Sequence, residues 1–452
     1  MNHKQPKVIT FILWLTGLLL YQQSMAQNTS PNINKFSVEQ CAAYAAKNNV
    51  QVKNALLAIQ VQKETNRGIT AAALPSITGS AGLTDYINIP VSLVPGEFFG
   101  QPAGTFIPVR FGTKYNANAG IQLQQLLFDG QVFVGLQARA ASIEYQNKNA
   151  QVTEEAIRTN IYKIYYQLVV AKSQVALLDA NIALLEKLQN DVGEMFKNGF
   201  AERLDVDKLN VQFSNLQTEK TKVLNNIEMG YLGLKTLMGM PVKDSLVLTD
   251  TITDDNIKEQ SLSDAAFQYT DRKDYQLMQT VKKLNEYNIK RYRLSYIPTV
   301  SLSGAFTKQA QRTKFTIFEK GDWFTTSFIG LNINIPIFDG FYKDAKIKQS
   351  RIELKQVENT IDNLKISADA EVQQAIIKFR SAILTMDAQK KNMILAEKVY
   401  NQTKKKFEAG TGSNTEINTA QTDLKAAQTN YISALYDAVI AKVDYLKATG
   451  KL

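Results

Sequence analysis

The sequence predicts an α+β membrane protein: a tandem-repeat protomer of a trimeric twelve-stranded β-barrel, continued by a long coiled-coil α-helical barrel. Three observations lead there. The same short motifs recur in the same order in two halves of the 452 residues. Each half holds a stretch in which apolar or small residues alternate with polar ones. Each half also carries an apolar heptad stripe far too long for a compact globule.

The N-terminus reads as an export signal. Lys4 and Lys7 precede an apolar run from Val8 to Leu20, and Ser24-Met25-Ala26 offers a small-x-small cleavage site. The expectation is a signal peptide over 1–26 and a mature chain starting near Gln27. The formal charge of +10 then falls by two, to +8, with lysines scattered among acids. Nucleic-acid binding would need a clustered basic face, and none is visible.

Composition also excludes most enzyme chemistry. The single histidine, His3, goes with the signal, so Ser-His-Asp triads, Cys-His pairs and histidine metal sites are not expected. No Gly-rich phosphate loop follows a strand, and neither enzyme activity nor a cofactor is expected. The one cysteine, Cys41, lies in an apolar helical pattern and reads as a buried thiol. No apolar run of 18 or more residues follows the signal, so a membrane crossing would have to use β-strands.

The duplication fixes the order of elements. Leu74-Pro75-Ser76-Ile77 resembles Ile297-Pro298-Thr299-Val300. Leu127-Phe128-Asp129-Gly130 matches Ile337-Phe338-Asp339-Gly340, and Phe196-Lys197-Asn198-Gly199 matches Phe407-Glu408-Ala409-Gly410. The openings align too, Ser37 to Ala42 against Ser261 to Ala266. Residues Ser37 to Ala73 read as one alanine-rich helix, ended by Pro75. A period-2 strand follows around Phe111, Thr113, Tyr115, Ala117, Ala119, Ile121 and Leu123, with Ser76 to Tyr86 as its partner. The segment between them, with Pro90, Pro95, Pro102 and Pro108, is expected to be a long irregular loop.

The second half repeats this with strands Thr299 to Thr307 and Trp323 to Ile335, where Trp323 and Phe324 suit an aromatic girdle. Strands alone fit a soluble hairpin equally well; the helices decide. From Gly130 to Asn198 a proline-free helical pattern runs roughly 100 Å at 1.5 Å per residue. Its stripe includes Ile157, Ile161, Ile164, Leu168, Leu178, Leu185 and Val192, and Val372, Ile376, Phe379, Met386 and Tyr400 keep the same phase in the second half. Each long helix turns at Gly199 or Gly410 into a return helix, Leu204 to Met238 or Thr415 to Ala448.

The expected organisation is a first repeat over 27–240, with a β-hairpin at about 76–127 and a helical hairpin at about 130–238. A linker over 241–274 suits a small mixed domain at the waist. The second repeat covers 261–452, with a β-hairpin at about 299–337 and a helical hairpin at about 340–448. Four strands cannot close a membrane barrel. Two chains would give eight strands and a plugged interior; three would give twelve and room for water, which is favoured if the polar faces line a pore.

The proline-started strands, the Phe-Asp-Gly before each long helix and the glycine at each helical turn resemble the TolC family of outer membrane efflux proteins, across essentially the whole mature chain. That resemblance implies a homotrimer in outer membrane lipid with a helical tunnel in the periplasm. Its partners would be a periplasmic adaptor and an inner-membrane transporter, in tripartite efflux or type I secretion. The competing expectation is a periplasmic coiled-coil scaffold or adaptor without a pore.

The resemblance also implies site residues. The family's two constriction carboxylates fall on Glu416 and Thr419, only the first of which keeps the charge. Without the family, Glu416 reads as an acid in the first turn of a helix. A gate-link aspartate is present as Asp205, but its tyrosine partner is Phe407, an arginine is replaced by Gly412 and a threonine by Leu204. An Arg203–Glu416 pair is one conceivable substitute. Gly199, Phe200 and Ala201, with Gly410, Thr411 and Gly412, match the adaptor-docking tips.

Overall fold

The computed structural model describes residues 33–258, 267–319 and 321–452. The expected signal peptide and the Ser261 to Ala266 opening of the second repeat lie outside the described residues. In chain order the elements are β1 (Ile33–Phe36), α1 (Val38–Asn48), α2 (Val50–Ala71), β2 (Ser76–Asp85), β3 (Val91–Pro95), β4 (Phe106–Arg110), β5 (Tyr115–Phe128), α3 (Gly130–Lys197) and α4 (Arg203–Met238). They continue with β6 (Ser245–Leu248), α5 (Asp254–Lys258), α6 (Lys273–Leu294), β7 (Thr299–Arg312), β8 (Phe324–Asn334), α7 (Tyr342–Glu408) and α8 (Asn414–Ala448).

The two long helices, α3 and α7, are unbroken over 68 and 67 residues. Asp129 caps α3, its carboxylate accepting from the Gln131 and Val132 amides. The second copy starts differently: Gly340 and Phe341 both take left-handed backbone (φ 67° and 66°) before α7 begins at Tyr342. Along α3 the stripe residues Ile157, Ile161, Leu168, Leu178, Leu185 and Val192 are buried, as are Val372, Phe379, Met386 and Tyr400 along α7. One 18-residue window of α3 is apolar enough by composition to cross a membrane. A third of that window is buried inside the protomer.

Beside these unbroken helices run two columns made of two helices each. The C-terminus of α4 abuts the N-terminus of α2, and α8 abuts α6 in the same way. This corrects the expectation of one helix from Ser37 to Ala73. Asn49 adopts extended backbone (ψ 133°) and separates α1 from α2. Its carboxamide oxygen accepts from the Gln51 and Val52 amides while its Nδ2 donates to Leu237 O at 2.7 Å. At the equivalent joint the cap is Arg272, whose guanidinium holds Asp274 (2.7 Å) and Glu371 (2.7 Å) and donates to Ala448 O. Each column needs glycine at its joint. Gly239 (φ 71°) and Gly450 (φ 72°) end α4 and α8, and a Cβ on either would sit 2.4 Å from Asn48 O or 2.8 Å from Asp271 O.

At one end β2, β5, β7 and β8 form an antiparallel sheet in the order β2-β5-β7-β8, so each hairpin contributes two strands and both outer edges stay unpaired within the chain. Two features depart from the sequence expectation. The proline-rich segment between β2 and β5 is not irregular, for β3 and β4 pair antiparallel with Pro95 opposite Phe106 and Leu93 opposite Pro108. A two-stranded ribbon is all edge, where proline is tolerated. At the waist β1 and β6, over 200 residues apart in sequence, pair in parallel. Tyr165 on α3 fastens them, donating to Phe36 O at 3.1 Å and accepting from the Asp250 amide. Cys41 is fully buried beside them, and burial, then the nearby Asp250 and Glu39, pushes its thiol up to about 12.

Candidate channel wall and helical tip

Register assigns every sheet residue to a face, because directly paired antiparallel residues point the same way. One face carries Ile77, Ala81 and Leu83 of β2, with Ala117, Ala119, Ile121 and Leu123 of β5. Val300, Leu302 and Phe306 of β7 and Ile329, Leu331 and Ile333 of β8 complete it. Most of these large side chains are exposed in the single chain: Ile77 at 70% and Ile329 at 82%. Such an apolar surface suits lipid.

The opposite face is polar and uncharged. It presents Ser76, Thr78, Ser80 and Thr84, then Asn116, Asn118, Gln122 and Gln124, then Ser301, Ser303, Thr307, Gln309 and Gln311. Asn332 Nδ2 donates to Ser303 Oγ across it at 2.9 Å. Phe324 and Phe328 also lie on this face, since Phe324 pairs with Gln309 and Phe328 with Ala305. The girdle expected of Phe324 is therefore corrected, since the register turns its ring to the polar side.

At the far ends of α3 and α7, both turns are the same capping motif. Phe200 N–H donates to Met195 O (2.8 Å) and Gly199 to Phe196 O (3.0 Å); Thr411 N–H donates to Lys406 O (3.0 Å) and Gly410 to Phe407 O (3.0 Å). The glycines take φ 79° and 72°. Gly412 also donates to Lys406 O, and a Cβ there would lie 2.9 Å from the Phe407 amide nitrogen. Phe200 is 79% exposed. Phe200, Phe407 and Gly410 line a groove of about 820 Å³ with Tyr400, Ile417 and Lys404, whereas Ala201 packs into the apolar core of the tip.

The gate candidates are only partly gathered. Glu416 is exposed in the first turn of α8, its amide donating to Ser413 Oγ at 3.2 Å. Thr419, one turn on, donates to Thr415 O. Thr419 shares a groove of about 670 Å³ with Leu204, Asp207 and Asp423, but Glu416 is not among its walls. Asp205 closes a capping box at the start of α4, accepting from the Glu202 amide at 3.4 Å. Arg203 pairs with Asp207 at 3.5 Å, one turn along its own helix, and not with Glu416. The in-helix partner needs no ordering of a second element, and at this exposure the pair contributes little.

Two features escaped the sequence. The seam where α3 meets α8 is polar inside: Asn181 Nδ2 donates to Gln428 Oε1 at 2.7 Å, while Asn181 Oδ1 and Gln421 Oε1 are buried without a partner. At the waist Asp254 accepts from Lys390 Nζ (2.6 Å) and Tyr431 Oη (2.9 Å). Burial acts to raise its pKa, but the bonds from Lys390 and Tyr431 and the charges of Lys390 and Lys258 outweigh it and hold the carboxyl below its usual range. Polar stripes and short acidic segments are common enough that neither stood out. Among the described residues no group of three or more His, Cys, Asp or Glu gathers as a metal site.

A family model described as "Outer membrane efflux protein" matches residues 276–451. Outer membrane efflux protein BepC of Brucella suis is 24% identical over 414 residues, covering 90% of this chain and 84% of that one. Outer membrane protein TolC of Vibrio cholerae is 19% identical over 337 residues, covering 74% and 77%. Among solved structures, the Campylobacter jejuni CmeC outer membrane channel superposes with a TM-score of 0.71 at 17% identity, covering 95% of this chain and 90% of that one. With the two-faced sheet, the paired helical hairpins and the duplicated motifs, these likenesses agree: the chain is similar over most of its length to outer membrane efflux proteins, TolC among them, and the family model itself matches its second half.

Proposed function

We propose that three copies of this chain close a twelve-stranded barrel in the outer membrane and a helical tunnel below it. The assembly passively conducts substrates delivered by a periplasmic adaptor and an inner-membrane transporter. The observation that carries this reading is the four-stranded sheet, with one apolar face, one uncharged polar face and two unpaired edges. An open edge in lipid leaves a row of unsatisfied amides and carbonyls, so β2 of one copy is matched to β8 of the next. The relatives' names supply the process, efflux across the outer membrane. The tips at Gly199 to Ala201 and Gly410 to Gly412 are the proposed adaptor contacts, and Glu416 the proposed acidic ring.

The test is the protein mass of the detergent-extracted particle from the outer-membrane fraction, by light scattering with detergent subtracted. Three chains per particle, conducting in a planar bilayer, is the expected result. A folded monomer recovered from the soluble periplasm would overturn the channel in favour of a scaffold.

A further inference from the structure

The segment joining β7 to β8 does not stand clear of the sheet. It folds back onto the apolar face: Ile317 is buried against Ala117 and Ala310, which are 5% and 0% exposed, and Tyr115 packs on the same patch. Phe315 meets the Tyr115 ring edge-on at 5.4 Å, and Phe318 meets Phe315 at 6.2 Å. The result is a ledge on the lipid side of the wall, at the end of the strands farthest from the helices. Phe318 is left 87% exposed on it and Phe315 54%.

Cations flank the ledge, whose own loop also carries Glu319 and Asp322. On β7 the apolar face reads Phe306, Lys308, Ala310, Arg312 moving outward, so two positive charges share a largely apolar face, which also carries Thr325 and Ser327 of β8 and, two strands from Arg312, Asp85 of β2. Lys308 stands between small or short neighbours, Ala119 on one side and Thr325 on the other, and is exposed. Arg312 lies along the ledge, its guanidinium donating to Asp322 O (2.8 Å) and Gln311 O (3.0 Å). A Cβ at Gly321 would stand 2.6 Å from Arg312 Nη2, so glycine there makes room for the side chain. Two of its five N–H donors are thereby used, both on neutral carbonyls. Lys314 adds a third charge at the start of the loop. Among the described residues none of the three forms an ion pair with a carboxylate.

Inward of Lys308 the same face opens into a groove of about 590 Å³. Gly304 forms its floor, with Ile77, Ile121, Leu123, Phe306 and Ile329 around it. From Gly304 to Lys308 is four residues, about 14 Å along the strand.

We propose that this ledge and groove bind a phosphorylated lipid of the outer leaflet. Lys308, Arg312 and Lys314 hold its phosphate, Phe315 and Phe318 lie at headgroup depth, and an acyl chain occupies the groove over Gly304. An anion is the ligand that completes the site. Three unpaired cations beside an apolar surface are costly in lipid unless phosphate neutralises them, and Arg offers the geometry for it. Aromatic rings flanking an apolar band belong at the membrane interface. The inference rests on the outer-membrane channel reading, and its test separates the two.

The full-length protein is extracted in mild detergent and examined by native mass spectrometry after incubation with bisphosphorylated lipid A, dephosphorylated lipid A or phosphatidylcholine. The expected result is retention of the bisphosphorylated lipid alone, reduced at least tenfold by the triple variant Lys308→Gln, Arg312→Gln, Lys314→Gln. The separate variant Ile329→Gly is expected to weaken retention while leaving the cations intact. Equal retention of phosphorylated and dephosphorylated lipid, or a triple variant that conducts normally and retains lipid like the parent, overturns the site. Should the parent not conduct at all, the channel reading is what fails. If the triple variant does not assemble, Arg312→Lys and Lys308→Gln singly, each checked for conductance, decide by the same comparison.

Discussion

Asn49 Nδ2 donates to the carbonyl oxygen of Leu237 at 2.7 Å, joining the N-cap of one helix to the last turn of another, 188 positions further on. The same side chain caps its own helix through Gln51 and Val52, so three backbone groups depend on one carboxamide. Asn49→Ala is expected to leave all three without that partner and to cost about 1–3 kcal/mol. A lower melting temperature of the detergent-extracted protein, with conductance retained, is the outcome to look for.

The seam between α3 and α8 makes the opposite prediction. Gln421 is 6% exposed and its Oε1 has no partner. Gln421→Leu removes a buried acceptor that has no partner, so stability should rise by about 1 kcal/mol. Chemical denaturation of the parent and the variant measures it. Destabilisation would mean that the carboxamide is satisfied in solution.

Acid should loosen the waist through Asp254. Its folded pKa lies below the ordinary value of 3.8. The stabilising contribution is therefore complete above that value, and is lost as pH falls through the lowered folded pKa. Hydrogen exchange of segment 254–258 is expected to quicken in that acid window. In Lys390→Met, which lacks the strongest partner, the extra protection should already be absent at neutral pH.

Glu416 tests the acidic ring. Three glutamates at a constriction would attract divalent cations, so Glu416→Gln should weaken cation block of the conductance by roughly tenfold. Thr419→Ala, which removes no charge, should leave block unchanged. If block is the same in Glu416→Gln, the carboxylate serves only its helix terminus, where acids are favoured in any case.

Much of this architecture was legible because it is periodic. The stripe from Ile157 to Val192 and the alternation from Tyr115 to Leu123 extend over many residues, and Gly199 and Gly410 mark turns with a fixed backbone requirement. What escaped depends on contacts between distant residues. Asn49 is a good cap residue, but its bond to Leu237 O, which joins the two helices of the column, leaves no mark in the local pattern. The pairing of Ile33–Phe36 with Ser245–Leu248 involves only four residues on each side. Phe324 sat in a strand as expected, but only its pairing with Gln309 shows which way the ring faces. The gate residues came from resemblance alone, and the ion pair suggested for Arg203 gave way to a nearer carboxylate.

The two joints, at Asn49 with Gly239 and at Arg272 with Gly450, give the protomer an uneven mechanics. Two rods of nearly 70 residues run the full height without a break, while the two columns beside them are each cut at the waist. A torque applied at the tips would be carried upward by α3 and α7 but could be absorbed at the joints. One joint is a single amide clasp and the other a charged clasp with two carboxylates. Acid that protonates Asp274, where burial acts to raise the pKa but the bonds from Arg272 hold the carboxyl below its usual range, should soften only the second, so the two hairpins of one chain can yield under different conditions.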